Sequence, residues 1–279
     1  MSQFRKITAL YWSATGNTKK VVCAIGYKLG EYFGCPVEEY DFTPSSAREH
    51  VKTFDENDLV IVGSPTYAGK LPNKILPDFQ GKLSGKGTVA AAVVTYGNRA
   101  YDNSLAELAE VLLQNGFCPA GAAAFPCRHA FTDRLACGRP DKEDLKQAEE
   151  FAVCLAEKLS SAAPDMKPED IRAPRIPGDA AAPYYVPRGT DGEPAKFLKA
   201  KPKTDAAKCT RCGDCVRLCP MDSIDPENPL NVPGLCIKCQ ACVRGCPQKA
   251  KYFDDPAFFS HVAMLEQSFT DKKETEFYL

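Results

Sequence analysis

No stretch of the 279-residue sequence approaches the ~18 consecutive apolar residues a transmembrane helix needs, so membrane insertion is not expected. The first ten residues carry charge and lack the apolar core of a secretory signal, and the chain is expected to act in the cytoplasm. Neither sign of charge is in excess. Thirty-five Lys and Arg against 36 Asp and Glu leave a net charge of −1, which gives no footprint for nucleic acid or an anionic membrane surface. The usual phosphate signatures are missing too, because neither G-x-x-x-x-G-K-[ST] nor G-x-G-x-x-G occurs. No nicotinamide-binding domain is therefore legible, and direct oxidation of NADH or NADPH is expected to be slow.

Cysteine, in contrast, is abundant. Of 14 cysteines, eight fall between Cys209 and Cys246. Cys209-Thr-Arg-Cys-Gly-Asp-Cys-Val-Arg-Leu-Cys-Pro220 recurs as Cys236-Ile-Lys-Cys-Gln-Ala-Cys-Val-Arg-Gly-Cys-Pro247, at a period of 27 residues. Each half reads C-x2-C-x2-C-x3-C-P. Iron in a cubane takes one thiolate per corner, and three closely spaced cysteines with a fourth nearby can surround one. Structural zinc sites more often use two separated pairs, and disulfides belong to oxidising compartments. The other six cysteines (Cys23, Cys35, Cys118, Cys127, Cys137, Cys154) are scattered and read as small buried hydrophobes or incidental surface thiols.

Residues 1–160 alternate short apolar runs with longer amphipathic stretches, the pattern of βαβ units on a parallel sheet. Strands are predicted at Ile7–Tyr11, Pro36–Tyr40, Leu59–Val62, Thr88–Val94 and Ala120–Phe125. Helices are predicted from Asn17 to Phe33, from Asn103 to Gln114, and onward from Pro140-Asp141. Five strands and about five helices would make a doubly wound α/β domain. Prolines crowd residues 161–204, which are expected either to run as a solvated tether or to lie as a strap over the first domain. The repeat occupies residues 205–252. A tail over 253–279 is expected to be helical and docked, with Phe258, Phe259, Val262, Leu265 and Phe269 sharing a face.

Ligands of doubly wound sheets bind beyond the C-terminal strand ends, where the connection order reverses. Three segments should meet there. Ser13, Ala14, Thr15, Gly16, Asn17 and Thr18 follow the first strand and open a helix, a combination of hydroxyls, small residues and helix N–H groups able to encircle a phosphate. Pro65, Thr66, Tyr67, Ala68 and Gly69 follow the third strand. Thr95, Tyr96, Gly97, Asn98, Arg99 and Tyr101 follow the fourth. The last two loops pair glycine with aromatic rings that can stack on a flat ligand. His129, after the fifth strand, lies at the same rim, either touching the ligand or as a plain loop histidine.

On these motifs, residues 1–160 resemble the flavodoxin family and residues 205–250 resemble bacterial-type 2[4Fe–4S] ferredoxins. The whole chain resembles flavodoxin–ferredoxin fusion proteins. The resemblance implies FMN, its phosphate held by Ser13 to Thr18 and its ring framed by the other two loops, with Tyr67 or Tyr96 as stacking partner. It implies two [4Fe–4S] clusters, the fourth cysteine of each run serving the other cluster. Cys209, Cys212, Cys215 and Cys246 would hold one; Cys236, Cys239, Cys242 and Cys219 would hold the second. Arg99 would either favour anionic reduced flavin or serve as a salt-bridging arginine. The function implied is electron relay between clusters and FMN, with a redox protein as donor or acceptor. The alternative is a flavin-dependent reductase of a small acceptor such as a quinone, fed by its own clusters. A third reading is a redox-sensing docking protein.

Overall fold

The computed structural model describes residues 4–161, 167 and 170–279. Of the connector prolines, Pro164 and Pro168 lie outside the described residues. The first domain runs β1 (Lys6–Tyr11), α1 (Asn17–Phe33), β2 (Val37–Asp41), β3 (Lys52–Phe54), β4 (Asp58–Pro65), α2 (Leu76–Lys82), β5 (Leu83–Gly85), β6 (Thr88–Tyr96), α3 (Ser104–Gln114), β7 (Phe117–Pro126) and α4 (Lys142–Ser160). Five strands form a parallel array in the order β2-β1-β4-β6-β7. Counting only these five, that is 2-1-3-4-5, the flavodoxin-like doubly wound order. The short pair β3 and β5 stands apart.

The periodicity of α1 explains its placement. Val21, Val22, Ile25 and Leu29 recur at helical spacing and are fully buried in the apolar layer that α1 and α4 build with the sheet. Gly34 ends the helix in the left-handed conformation, its N–H donating to Gly30 O. At the start of α4, the Asp141 carboxylate accepts from Glu143 N at 2.9 Å and Asp144 N at 3.0 Å, completing a capping box. On the opposite face, Leu105, Leu108, Val111 and Leu112 of α3 pack with Phe79 of α2.

The alanine-rich β7 is longer than predicted. Its small residues leave room for large ones across the layer: a methyl at Gly121 would meet Leu155 and Phe151 at 3.0 and 3.3 Å. The sheet also holds a sixth strand absent from the sequence reading. After helix α7 (Pro256–Ser268) the chain returns and β10 (Glu276–Tyr278) pairs antiparallel with Ala122–Ala124 of β7. Phe277 then packs on Phe125 and Phe151, with ring centroids 6.3 and 5.5 Å away.

Within the connector, residues 179–185 lie as a strap on the first domain, while Phe197 and Ala200 further on pack against Phe253, Phe258 and Val262. Tyr185 N donates to Ala68 O at 2.8 Å, and the Tyr184 hydroxyl to Leu71 O at 2.9 Å. Lys70 Nζ reaches Ala180 O and Ala182 O at 2.6 and 2.9 Å, while its charge meets buried Glu107 at 3.0 Å.

The repeat folds around β8 (Lys203–Thr204), α5 (Asp214–Arg217), α6 (Ala241–Arg244) and β9 (Lys251–Tyr252), with β8 and β9 antiparallel. The ordered unit thus begins just before residue 205. Its halves share backbone conformation as well as sequence. Left-handed residues stand at Arg211, Gly213 and Asp222 in one half and at Lys238, Gln240 and Lys249 in the other, each pair 27 positions apart. In α7 (Pro256–Ser268), Phe258, Val262 and Leu265 are buried, but Phe259 is 50% exposed. One residue turns a helix by about 100°, so Phe259 leaves the face its neighbour occupies.

Candidate functional site

The eight repeat cysteines are free thiols and line two separate cavities. One is ringed by Cys209, Cys212, Cys215 and Cys246. The other is ringed by Cys219, Cys236, Cys239 and Cys242. Each cavity thus takes three thiols from one run and the fourth from the other. Among the described residues, no three His, Cys, Asp or Glu side chains converge on a single-ion position.

Backbone N–H groups point at the sulfurs in matching fashion. Ser223 N lies 3.3 Å from Cys219 Sγ, and Ala250 N lies 3.2 Å from Cys246 Sγ. Lys238 N lies 3.4 Å from Cys236 Sγ. Burial raises the Cys215, Cys236 and Cys239 thiols and pushes Cys242 up to about 12. Burial also acts on Cys246, but N–H groups of Ala250, Lys251 and Gln248 prevail and hold it below the usual thiol range. Thiols in such surroundings ionise on binding a cationic iron centre, and the N–H groups then stabilise the sulfur charge. The donor set fits a cubane in each cavity.

The strand ends build a second locus. The connection order reverses between β1 and β4, whose pairing ends with Tyr11 opposite Gly63. A Cβ on Gly63 would sit 2.2 Å from Val22 Cγ2, so only glycine lets α1 approach this closely. Gly16 takes φ +88° just before α1, and open space surrounds its Cα. Ser13 Oγ accepts from Lys19 N at 3.0 Å, and the Thr18 and Thr95 hydroxyls meet at 2.8 Å. Among the described residues the amides of Thr15, Asn17 and Thr18 meet no protein acceptor. Unpaired amides at the start of a 17-residue helix suit a phosphate dianion.

Tyr67, in the loop after β4, lies edge-on to Trp12, with centroids 5.9 Å apart. Burial raises its phenol well above the usual range, and the neighbouring Cys239 and Cys236 sulfurs add to the shift. Trp12 Nε1 is fully buried and meets no acceptor among the described residues, a donor available to a ligand. Sequence reasoning began the site at Ser13 and passed over this tryptophan, although it directly follows β1. Pro65, Thr66, Ala68 and Gly69 surround Tyr67; Thr66 N donates to Thr95 O at 2.7 Å, joining this loop to the next.

Beyond Thr95, the third loop is engaged elsewhere. Tyr96 is buried, its ring 5.5 Å from Tyr101 and its hydroxyl 3.4 Å from Glu274 O. Tyr101 donates to Glu276 at 2.7 Å beneath β10. Asn98 Nδ2 donates to Phe269 O and Asp271 O at 2.7 and 3.0 Å. Arg99 pairs with Asp102 and lies 4.0 Å over the Tyr185 ring. The tail thus occupies Tyr96 and Tyr101, and Tyr67 is the ring standing beside Trp12. His129 packs on Gly97, where a Cβ would come within 2.3 Å of its Cδ2. Its Nδ1 accepts from Phe131 N at 3.1 Å, and burial drives its pKa down to about 3. The ring is therefore a neutral Nε2–H tautomer.

The two loci adjoin. Cys239 and Ala241 share one apolar cluster with Trp12 and Leu71, and Tyr67, Ala14, Met221 and Ile237 pack against it. Two arginines hold this junction. Buried Arg48 donates to Asp78 at 2.7 Å and to Pro220 O at 2.6 Å. Arg244 donates to Ala130 O at 2.8 Å, His129 O at 3.1 Å and Asp133 at 2.8 Å.

By strand order the first domain is a flavodoxin-like α/β fold, and residues 202–225 match the 4Fe-4S binding domain family. The chain thus joins a flavodoxin-like α/β fold to a segment similar to the 4Fe-4S binding domain family. No curated protein matches it. Among solved structures, oxidised flavodoxin 2 from Bacillus cereus is 20% identical, covering 55% of this chain and 99% of its own, with a TM-score of 0.40. A flavodoxin from the domain Archaea is 19% identical over 56% and 99%, with a TM-score of 0.37. Rubredoxin oxygen:oxidoreductase from the anaerobe Desulfovibrio gigas is 21% identical over 57% of this chain and 37% of that one, with a TM-score of 0.36. The fold assignment rests on strand order. Among the described residues no helix is long and apolar enough to cross a membrane.

Proposed function

We propose that this protein relays electrons between two [4Fe–4S] clusters and FMN, coupling an external redox protein to the flavin. One observation carries the reading: the cavity ringed by Cys219, Cys236, Cys239 and Cys242 borders Trp12 and Tyr67 of the switch-point loops within a single apolar cluster. When bound, clusters carry single electrons and FMN takes one or two, so their pairing converts between the two kinds of traffic. The chain's own residues divide the remaining work. Ser13 to Thr18 would hold the phosphate through amides and hydroxyls, while Tyr67 and Trp12 supply an apolar wall and a buried donor. Apolar packing around Cys239 keeps water from the junction, and Arg48 and Arg244 fix the modules, so electron exchange needs no domain motion.

The test is anaerobic titration of the purified holoprotein with a one-electron reductant, following flavin and cluster absorbance together. Flavin bleaching that tracks cluster reduction supports the relay. Clusters that stay reduced beside oxidised flavin of higher potential refute it.

A further inference from the structure

The two thiol cavities differ in exposure. In the inner set Cys239 and Cys242 are buried and Cys219 and Cys236 half-buried, whereas in the outer set Cys215 is buried, Cys209 and Cys246 are half-buried and Cys212 is exposed. External exchange therefore belongs to the edge at Cys212. Charge is distributed unevenly as well. Residues 201–252 carry nine Lys and Arg against five Asp and Glu, while the rest of the chain carries 26 against 31. Much of that basic excess is displayed around the outer cavity. Arg211 and Lys249 are exposed on left-handed turns beside Cys212 and Cys246. Arg217 sends Nη1 to within 3.4 Å of Cys212 O. Two acids beside the thiols are already matched: Asp214 pairs with Arg217, and Asp205 lies 3.0 Å from Lys208. No carboxylate pairs with Arg211 or Lys249 among the described residues.

Resting on the relay reading, we infer that the Cys209–Cys212–Cys246 edge, rimmed by Arg211 and Lys249, docks an acidic low-potential redox protein such as an acidic ferredoxin. Unpaired cations around an exposed redox edge attract and orient an anionic partner, and the inner cavity, beside the first domain, has no exposed thiol. One electron leaves the reduced partner, which is oxidised, and enters the chain through the Cys212 side; no atom or proton is exchanged. Burial of the other cavity against Trp12 and Tyr67 then gives the path a direction, outer edge to flavin loops.

The test uses the full-length holoprotein and a purified acidic bacterial-type ferredoxin. Binding is measured by fluorescence anisotropy from low to high salt, and ferredoxin-driven reduction by stopped flow. The paired change Arg211→Glu and Lys249→Glu should weaken binding about tenfold at low salt and abolish most of its salt dependence. Reduction by a small mediator should stay unchanged. Should the reversed variant lose clusters, Arg211→Gln with Lys249→Gln serves instead and should weaken binding about threefold. Binding indifferent to both charge changes, or to salt, overturns the docking assignment. Ferredoxin that docks and reduces clusters without bleaching flavin would sink the relay but leave the docking surface standing. Mediator-fed clusters that bleach flavin while ferredoxin fails to dock would do the reverse.

Discussion

Removing the Arg48 guanidinium should loosen the two modules and the thiol ring at once. This side chain is 7% exposed and makes four hydrogen bonds, to Asp78, Phe42 O, Thr43 O and Pro220 O. Arg48→Met keeps the apolar stem and deletes only the charge and donors. Breaking a fully buried ion pair costs roughly 3–5 kcal/mol, but the Asp78 side chain is 29% exposed and can partly rehydrate, which brings that share to about 2 kcal/mol. The orphaned Phe42 and Pro220 carbonyls add about 1 kcal/mol each. The expected loss is about 4 kcal/mol. With a urea slope of roughly 2–3 kcal/mol/M, the unfolding midpoint should fall by about 1.5 M. Pro220 follows Cys219, so hydrogen exchange over residues 221–223 should accelerate in the same variant. Asp78→Asn separates the ion-pair share from the carbonyl share. A midpoint shift below about 0.3 M, with unaltered exchange beside Cys219, would refute the reasoning.

Three further outcomes are expected. The double change Cys209→Ala with Cys246→Ser strikes one cavity only and should leave about half the iron by colorimetric analysis; near-complete loss would contradict the crossed ligand sets. Phe277→Ala should destabilise by roughly 2–3 kcal/mol in a denaturant titration, less than the 3–5 typical of a fully buried phenylalanine because the ring is only half-buried. His129 should make stability pH-dependent with a definite sign. Its pKa falls from the ordinary 6.5 to about 3 on folding, so the unfolded chain binds the extra proton between those values. The contribution is complete above pH 6.5 and lost as pH falls towards 3, and His129→Gln should flatten unfolding midpoints across that window.

How far the sequence could be read depended on whether the signal was local. The thiol spacing is local, and the cavities hold the eight cysteines named from it, in the crossed grouping that the ferredoxin resemblance implies. The limits of α1 were equally legible, because Gly16 and Gly34 bracket an unbroken apolar stripe. Non-local pairing was not. Glu276–Tyr278 is too short to announce a strand, and only the alanine edge of β7 makes it one. That same return of the chain explains why Tyr96 and Tyr101 face the tail, which no feature of their own loop foretells. The strap was ambiguous for a related reason: prolines suppress periodicity whether the segment is solvated or pinned, and the deciding contacts come from Leu71, Ala68 and Lys70.

Because β10 completes the sheet alongside β7, the iron–sulfur unit is topologically an insertion between α4 and the last strand, not an appendage on a leash. Both of its chain ends are anchored to the same body, which forbids the swinging-arm shuttling open to carriers joined by one linker. Biogenesis inherits the constraint. A ribosome must deliver all eight thiols before the α/β sheet can close its far edge, so assembly of the metal sites and final folding of the neighbouring domain are bound to the same moment.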